Sequence, residues 1–325
     1  MKKHITIITT GGTIAMKQDP KTGGLIPAVS GEDLAAAVPG LSDAADVDVV
    51  EFKNIPSGWM KASDMFALSR LIDRLADETK TDGFVVTHGT DTLEETAFFL
   101  DVSLKTDLPV CVTGAMRGAS ALSADGPENI LAAVRIAADP FAKGQGVLVC
   151  LMDRVYAART VTKTHTTNPD TFRDPEWGPL ASVYSSRIVW GRQALPHVKL
   201  HPDAICENVW LITCYSGMER TQVDAALAGG AKGVVIDSLG CGNVPPECKK
   251  GILTLREHHI PVVITTRVPT GSVMEEYSYD GSVLSMKSAG IIEGGNLSAP
   301  KARLLLTLAL GLTNSIEALR PWFEA

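Results

Sequence analysis

Phe84-Val85-Val86-Thr87-His88-Gly89-Thr90-Asp91-Thr92-Leu93-Glu94-Glu95-Thr96 is the stretch on which the reading of this chain turns. Phe84 to Thr87 is apolar and β-branched, the pattern of a short buried strand. Gly89 breaks that pattern, and Thr92-Leu93-Glu94-Glu95 has the spacing of a capping box at the start of a helix, Leu93 to Lys105. Thr90 and Asp91 therefore stand just beyond the carboxyl end of a strand, where α/β proteins gather their chemistry.

The same alternation runs outward in both directions. Upstream, the β-rich run His4 to Thr10 ends at Gly11-Gly12-Thr13, a helix is expected from Ser30 (a possible N-cap) to Val38, and a strand from Val47 to Phe52. Ser63 to Thr79 places Phe66, Leu68, Leu71, Ile72 and Leu75 on one helical face. Downstream, Val110 to Thr113 and Gly146 to Leu151 read as strands flanking a helix at Pro127 to Ala138. Helices of this length between strands mean βαβ crossovers and a mostly parallel sheet.

From Tyr156 to Pro202 the helix and strand signals fade. They resume with strands at Val209 to Cys214, Gly233 to Asp237 and Pro261 to Thr265, and with helices at Thr221 to Leu227 and Pro246 to His258. A loop holding Tyr277 and Tyr279 precedes two closing helices, Ala299 to Gly311 and Thr313 to Phe323. The expected fold class is α/β in two domains: a larger N-terminal domain with a mostly parallel sheet (1–192), a linker (193–208) and a smaller C-terminal α/β domain (209–325). Met16 to Ser30, with Asp19-Pro20, Gly23-Gly24 and Pro27, reads as a loop of roughly fifteen residues, long enough to serve as a lid over a site.

Composition narrows the function classes. A net charge of -7 argues against nucleic acid or an anionic membrane as partner. No apolar run reaches the ~18 residues of a membrane helix, and the polar start Met1-Lys2-Lys3-His4 lacks a signal-peptide core, so a cytoplasmic location is expected. The 6 cysteines have no CxxC spacing and the 7 histidines no metal-site partners, so neither a metal nor another cofactor is expected. His258-His259 suits the end of a helix dipole. There is no GxGxxG or GxxxxGK[ST], and nucleotide binding is weakly supported.

Three strand ends look alike: Thr9-Thr10-Gly11-Gly12-Thr13, Thr87-His88-Gly89-Thr90-Asp91 and Thr113-Gly114-Ala115-Met116-Arg117. Glycine lets backbone N–H groups come close to a ligand, and two such turns facing one cavity could form an oxyanion hole. A threonine hydroxyl attacks only once a base removes its proton. Lys163, set among β-branched residues in Thr160-Val161-Thr162-Lys163-Thr164, reads either as a surface lysine or as that base, with Asp91 as its ion-pair partner. His88 reads as a structural hydrogen-bonder before a general base.

Thr-Gly-Gly-Thr-Ile-Ala (10–15) and His-Gly-Thr-Asp-Thr-Leu-Glu-Glu-Thr-Ala (88–97) resemble the two signatures of the bacterial type I/II L-asparaginase family. The likeness continues through Gly-Ala-Met-Arg (114–117), Ser-Ala-Asp-Gly-Pro (123–127), Val-Thr-Lys-Thr (161–164), Gly-Asn (242–243) and Arg-Val-Pro-Thr-Gly (267–271). The resemblance implies Thr13 as the nucleophile that forms an acyl-enzyme, and Thr90, Lys163 and Asp91 as a relay, Asp91 also binding the substrate ammonium. It implies Ser57 at the α-carboxylate, backbone N–H groups of Thr90 and Ala115 as oxyanion hole, and Asn243 lent by a neighbouring subunit of a homotetramer, a dimer of dimers.

Three places depart from the family pattern. No tyrosine stands in Met16 to Ser30, where the family's loop tyrosine would fall near Gly24-Leu25. Ser57 is followed by Gly58-Trp59 in place of Gln-Asp, which alters the substrate pocket. Around the partner-subunit glutamate stand Glu275-Glu276-Tyr277-Ser278-Tyr279, and Tyr277 or Tyr279 is a candidate replacement for the loop tyrosine. The expected activity is hydrolysis of L-asparagine to L-aspartate and ammonia. The alternatives are hydrolysis of another small amide (D-asparagine, glutamine, a cyclic or N-substituted amide) and a non-catalytic amino-acid sensor.

Overall fold

The computed structural model describes residues 2–18, 22, 25–27, 31–195 and 198–324. Ser30, Asp19-Pro20 and Gly23-Gly24, which enter the expected N-cap, lid and tyrosine position, lie outside the described residues. The chain divides into two compact units, Met1–Lys199 and Leu200–Ala325.

In the first unit, β1 (His4–Thr9) is followed by a short hairpin, β2 (Met16–Gln18) and β3 (Leu25–Pro27). Then come helices α1 (Gly31–Ala36) and α2 (Leu41–Ala44), β4 (Asp46–Glu51), α3 (Ala62–Glu78), β5 (Gly83–Thr87), α4 (Leu93–Ser103), β6 (Val110–Thr113), α5 (Gly126–Ala138) and β7 (Val147–Leu151). Strands β4, β1, β5, β6 and β7 lie side by side in that order, all parallel. Phe84, Val85 and Val86 of β5 are fully buried, each stabilising the sheet by about 1.5–3 kcal/mol. Helices α3 and α4 pack together, and α5 covers β5, β6 and β7. Helix α4 is buried along almost its whole length, which explains why its sequence shows so little one-sidedness. Its buried Asp101 accepts a hydrogen bond from the first amide of β7, Val147 N–H, at 2.6 Å.

The region without clear signals contains five short strands: β8 (Arg154–Ala157), β9 (Thr162–Lys163), β10 (Phe172–Arg173), β11 (Ala181–Val183) and β12 (Ile188–Trp190). Strands β8, β11 and β12 extend the main sheet antiparallel, and β9 with β10 forms a separate antiparallel pair. Segments this short hold too few side chains for a period of two to be legible; their neighbours impose the extended conformation.

The second unit is a parallel sheet of β13 (Val209–Thr213), β14 (Gly233–Ser238), β15 (Val262–Thr266) and β16 (Ile292–Glu293). Helices α6 (Thr221–Ala228), α7 (Pro246–Glu257), α8 (Val283–Met286), α9 (Ala299–Ala309) and α10 (Ile316–Phe323) alternate with or follow them. Strand β16 and helix α8 had no sequence expectation, both being too short to carry one. At the end of α7 the His258 ring meets the Thr254 carbonyl at 2.9 Å, matching a helix-terminal role. Among the described residues no helix is long and apolar enough to cross a membrane.

Candidate active site

Because β1, β5 and β6 are neighbours, their three glycine-bearing ends emerge together on the carboxyl edge of the sheet. The contacts are close enough to demand glycine. A Cβ on Gly12, whose φ is +86°, would come within 2.3 Å of the Gly89 Cα. One on Gly114 would come within 2.5 Å of the His88 carbonyl oxygen. Thr13, which opens a 3-10 turn (Thr13–Ala15), and Thr90 are thus each one residue beyond a backbone-to-backbone contact. The Gly114 turn is pinned by Asp125, which accepts from Met116 N–H at 3.0 Å and Arg117 N–H at 2.9 Å. Asn129 donates to the Gly114 carbonyl at 2.9 Å and accepts from Met152 N–H at 2.9 Å. This turn holds Ala115 in the core.

Lys163 reaches this edge from outside the main sheet. Its ammonium donates to the Thr90 hydroxyl at 3.0 Å and to the Asp91 carboxylate at 3.0 Å. Its side chain is only 18% exposed, whereas that of Asp91 is 79% exposed. The surface-lysine reading of this residue is therefore set aside by the geometry. Two features of β9 fix the lysine. Its backbone N–H donates to the Glu94 carboxylate in the first turn of α4, and β9 is paired to β10. Glu94 was assigned only to the capping spacing; nothing in the sequence links it to a residue 69 positions away.

The capping box itself is not formed as expected. Thr92 is the N-cap of α4 but its side chain makes no capping bond. Its hydroxyl instead donates to the Ser57 carbonyl at 2.7 Å. This tethers the Ser57–Trp59 3-10 turn, whose Ser57 carbonyl also accepts from Met60 N–H at 3.0 Å, to the Thr90–Asp91 loop. Gly89 lies against Ser57, since a Cβ there would fall 2.7 Å from Ser57 Oγ. A Cβ on Gly58 would meet nothing within 4 Å, and Trp59 is 70% exposed.

His88 is a structural residue. It is fully buried, with Nδ1 2.8 Å from the Gly89 carbonyl and Nε2 2.9 Å from the Thr96 hydroxyl. A carbonyl only accepts, so Nδ1 carries the proton and Nε2 accepts from Thr96. Burial pushes the imidazole pKa down to about 4 from its ordinary 6.5, against the opposing backbone bond. Between those values the unfolded chain binds a proton that the folded chain does not. The stability carried by neutral His88 is therefore intact above the unfolded pKa and is lost as pH falls toward 4, by on the order of 3 kcal/mol. His88→Gln is expected to flatten this acid limb in urea titrations run from neutral pH downward. An unchanged limb would mean that other groups carry it.

Asn243, Tyr277 and Tyr279 belong to the second unit. There the loop after β14 folds back on itself, with Asn243 N–H donating to Leu239 at 2.8 Å. It is stitched to the following segment by Met274 N–H to Cys241 at 2.9 Å and Val244 N–H to Gly281 at 2.8 Å. The Tyr277 and Tyr279 rings are both exposed, 5.2 Å apart between centroids. Of the two glutamates beside them, Glu275 is paired with Lys287 and Glu276 is exposed. Among the described residues no group of three or more His, Cys, Asp or Glu side chains could hold a metal ion.

Two family sequence models match, Asparaginase, N-terminal, over residues 4–196 and Glutaminase/Asparaginase C-terminal domain over residues 208–323. The chain belongs to the asparaginase family. Among its relatives, L-asparaginase 2 of Escherichia coli (strain K12) is 37% identical over 329 residues, covering 99% of this chain and 92% of that one. A probable L-asparaginase of Deinococcus radiodurans is 38% identical over 324 residues, covering 98% and 97%. The crystal structure of a probable cytoplasmic L-asparaginase from Campylobacter jejuni superposes with a TM-score of 0.90 at 33% identity, covering 99% of both chains. Within this asparaginase-family chain the residues missed by sequence reasoning are Glu94, Thr96 and Asn129, all polar and partly or wholly enclosed. Each supports a residue of the candidate site's edge through its backbone or ring, a role with no local sequence mark.

Proposed function

We propose that the protein hydrolyses L-asparagine to L-aspartate and ammonia through a threonine acyl-enzyme. The observation that carries this reading is the Lys163 ammonium bonded at once to the Thr90 hydroxyl and the Asp91 carboxylate, beside the Gly12–Gly89 contact that brings Thr13 to the same edge. In acylation, Thr13 Oγ1 adds to the side-chain amide carbon, the C–N bond breaks, and the hydroxyl proton leaves with ammonia. In deacylation, water adds to the ester and gives up a proton. Thr13 Oγ1 regains one, and aspartate leaves. Lys163 in its neutral form accepts the proton of Thr90 as Thr90 takes that of the attacking water, the same path returns a proton to Thr13 Oγ1 as the ester bond breaks, and Asp91 orients the lysine. Backbone N–H groups of Thr90 and Ala115 face the developing oxyanion, the exposed Asp91 carboxylate takes the substrate ammonium, and Ser57 takes the α-carboxylate. The protein works without metal or other cofactor in this reading.

The assembly belongs to the same reading: a homotetramer, a dimer of dimers, in which Asn243 and Tyr277 or Tyr279 come from the neighbouring subunit. The stitching of the Asn243 loop to the 274–281 segment supports it, because the two would be delivered together. A cytoplasmic location agrees with the description of the Campylobacter relative.

A coupled ammonia-release assay over L-asparagine, D-asparagine, L-glutamine and cyclic and N-substituted amides tests the substrate. Fastest turnover of L-asparagine is expected; binding without turnover of any amide would overturn the enzymatic reading. A second reading, hydrolysis of another small amide, is favoured by the open space at Gly58 and the exposed Trp59, which put no polar side chain of their own turn beside Ser57 other than the indole N–H. If a C-terminal tyrosine stands in for the loop tyrosine, Tyr277→Phe or Tyr279→Phe should slow single-turnover acylation by about a hundredfold. Unchanged rates in both variants would dismiss that role.

A further inference from the structure

We infer that Asn129 is a positioning residue that aims the Ala115 backbone N–H at the developing oxyanion. This role rests on the asparagine hydrolysis proposed above and deepens it.

Asn129 is buried near the start of α5. Both ends of its amide are engaged: Nδ2 donates to the Gly114 carbonyl at 2.9 Å and to Asp125 at 3.2 Å, and Oδ1 accepts from Met152 N–H at 2.9 Å. These partners settle which end is which, since a carbonyl only accepts and an N–H only donates. The Gly114 carbonyl and the Ala115 N–H belong to one trans peptide unit. In a planar trans unit the two groups point in opposite directions. By holding the carbonyl, Asn129 turns the Ala115 N–H to the far side of the unit. Without that hold the unit could rotate at low cost, because one of its flanking residues is glycine.

The neighbouring donors show the same selectivity. Asp125 accepts from Met116 N–H at 3.0 Å and Arg117 N–H at 2.9 Å, so neither competes for a ligand oxygen. Among the described residues, neither Ala115 N–H nor Thr90 N–H has an acceptor. Main-chain donors in an enclosed turn are rarely left so, and both are available to a ligand. Thr90 lies on the adjoining turn, its methyl group 3.3 Å from where a Gly114 Cβ would stand. That turn is built alike: the Gly89 carbonyl, in one peptide unit with the Thr90 N–H, accepts from His88 Nδ1 at 2.8 Å. A donor fixed in advance stabilises developing charge without reorganising, which is what Asn129 supplies to Ala115.

The test is made on the full chain carrying Asn129→Asp. The variant keeps an acceptor for Met152 N–H but sets a second acceptor, in place of the donor, against the Gly114 carbonyl. Its kcat for asparagine is expected to fall about a hundredfold, with KM within about threefold of the parent. Binding is read with two probes: L-aspartate, and the analogue with an aldehyde in place of the side-chain amide, to which Thr13 Oγ1 adds as a hemiacetal. Affinity for the aldehyde is expected to fall in step with kcat/KM. Affinity for L-aspartate should stay within about threefold, because only the tetrahedral adduct places its oxygen as the transition state does. Asn129→Ser, which adds no charge beside Asp125 and is too short to reach the Gly114 carbonyl, is measured in the same way and decides if the aspartate variant does not fold. Unchanged kcat and aldehyde affinity, or a lower thermal midpoint without the split between the two probes, would make Asn129 structural only and overturn the inference. A parent that releases no ammonia from asparagine overturns the proposed function and this role with it. A parent that does, with variants lacking the split, overturns the role alone.

Discussion

Lys163→Met is expected to lower kcat for ammonia release by about a thousandfold while leaving the circular dichroism spectrum and thermal midpoint close to those of the parent. The ammonium is bonded to both the Thr90 hydroxyl and the Asp91 carboxylate. Methionine keeps the apolar stem of a side chain that is mostly enclosed, so packing survives while the proposed proton acceptor is lost. Thr90→Ala should cost about as much, and the double variant little more than either alone, because residues acting as one relay are not additive. Steady-state rates within about tenfold of the parent for both single variants would remove the relay from the mechanism.

Thr13→Ala should have the larger effect, about ten-thousandfold or more on kcat, because it deletes the atom that forms the covalent bond in the proposed acyl-enzyme. The distinguishing measurement is not the rate but the intermediate. Acid quenching of the parent during turnover should leave acyl label on the peptide containing Thr13, and the variant should leave none. Label found instead on the peptide containing Thr90 would exchange the roles of the two threonines. Thr13 is only partly buried and follows Gly12, whose backbone contact with Gly89 defines the turn, so trimming the Thr13 hydroxyl and methyl leaves the turn itself intact.

Much of the edge where these two residues meet was legible before the structure. The strand periods of His4 to Thr10, Phe84 to Thr87 and Val110 to Thr113 depend on side chains within each segment, and they correspond to β1, β5 and β6. Glycines at the ends of those strands marked the turns. The supporting polar groups were not legible. Glu94 holds the backbone of a residue far along the chain, Asp125 and Asn129 clamp a turn across α5, and Thr92 spends its hydroxyl on Ser57 rather than on its own helix. Local spacing favoured the capping box; the nearby carbonyl of Ser57, unavailable to any local rule, won the hydroxyl.

By itself the sequence determined an α/β chain whose threonines, aspartate and lysine have the residue types for amide hydrolysis, because hydrophobic period, glycine breaks and signature motifs are all written over short distances. Only the tertiary structure decided that β1, β5 and β6 are adjacent, that His88 is a neutral structural ring, and that Lys163 points inward to Thr90 and Asp91 rather than into water. Those facts depend on which strands pair and which polar groups are enclosed together. The energies that settle them, desolvation and the demand that every buried donor and acceptor find a partner, exist only between segments brought together by the fold.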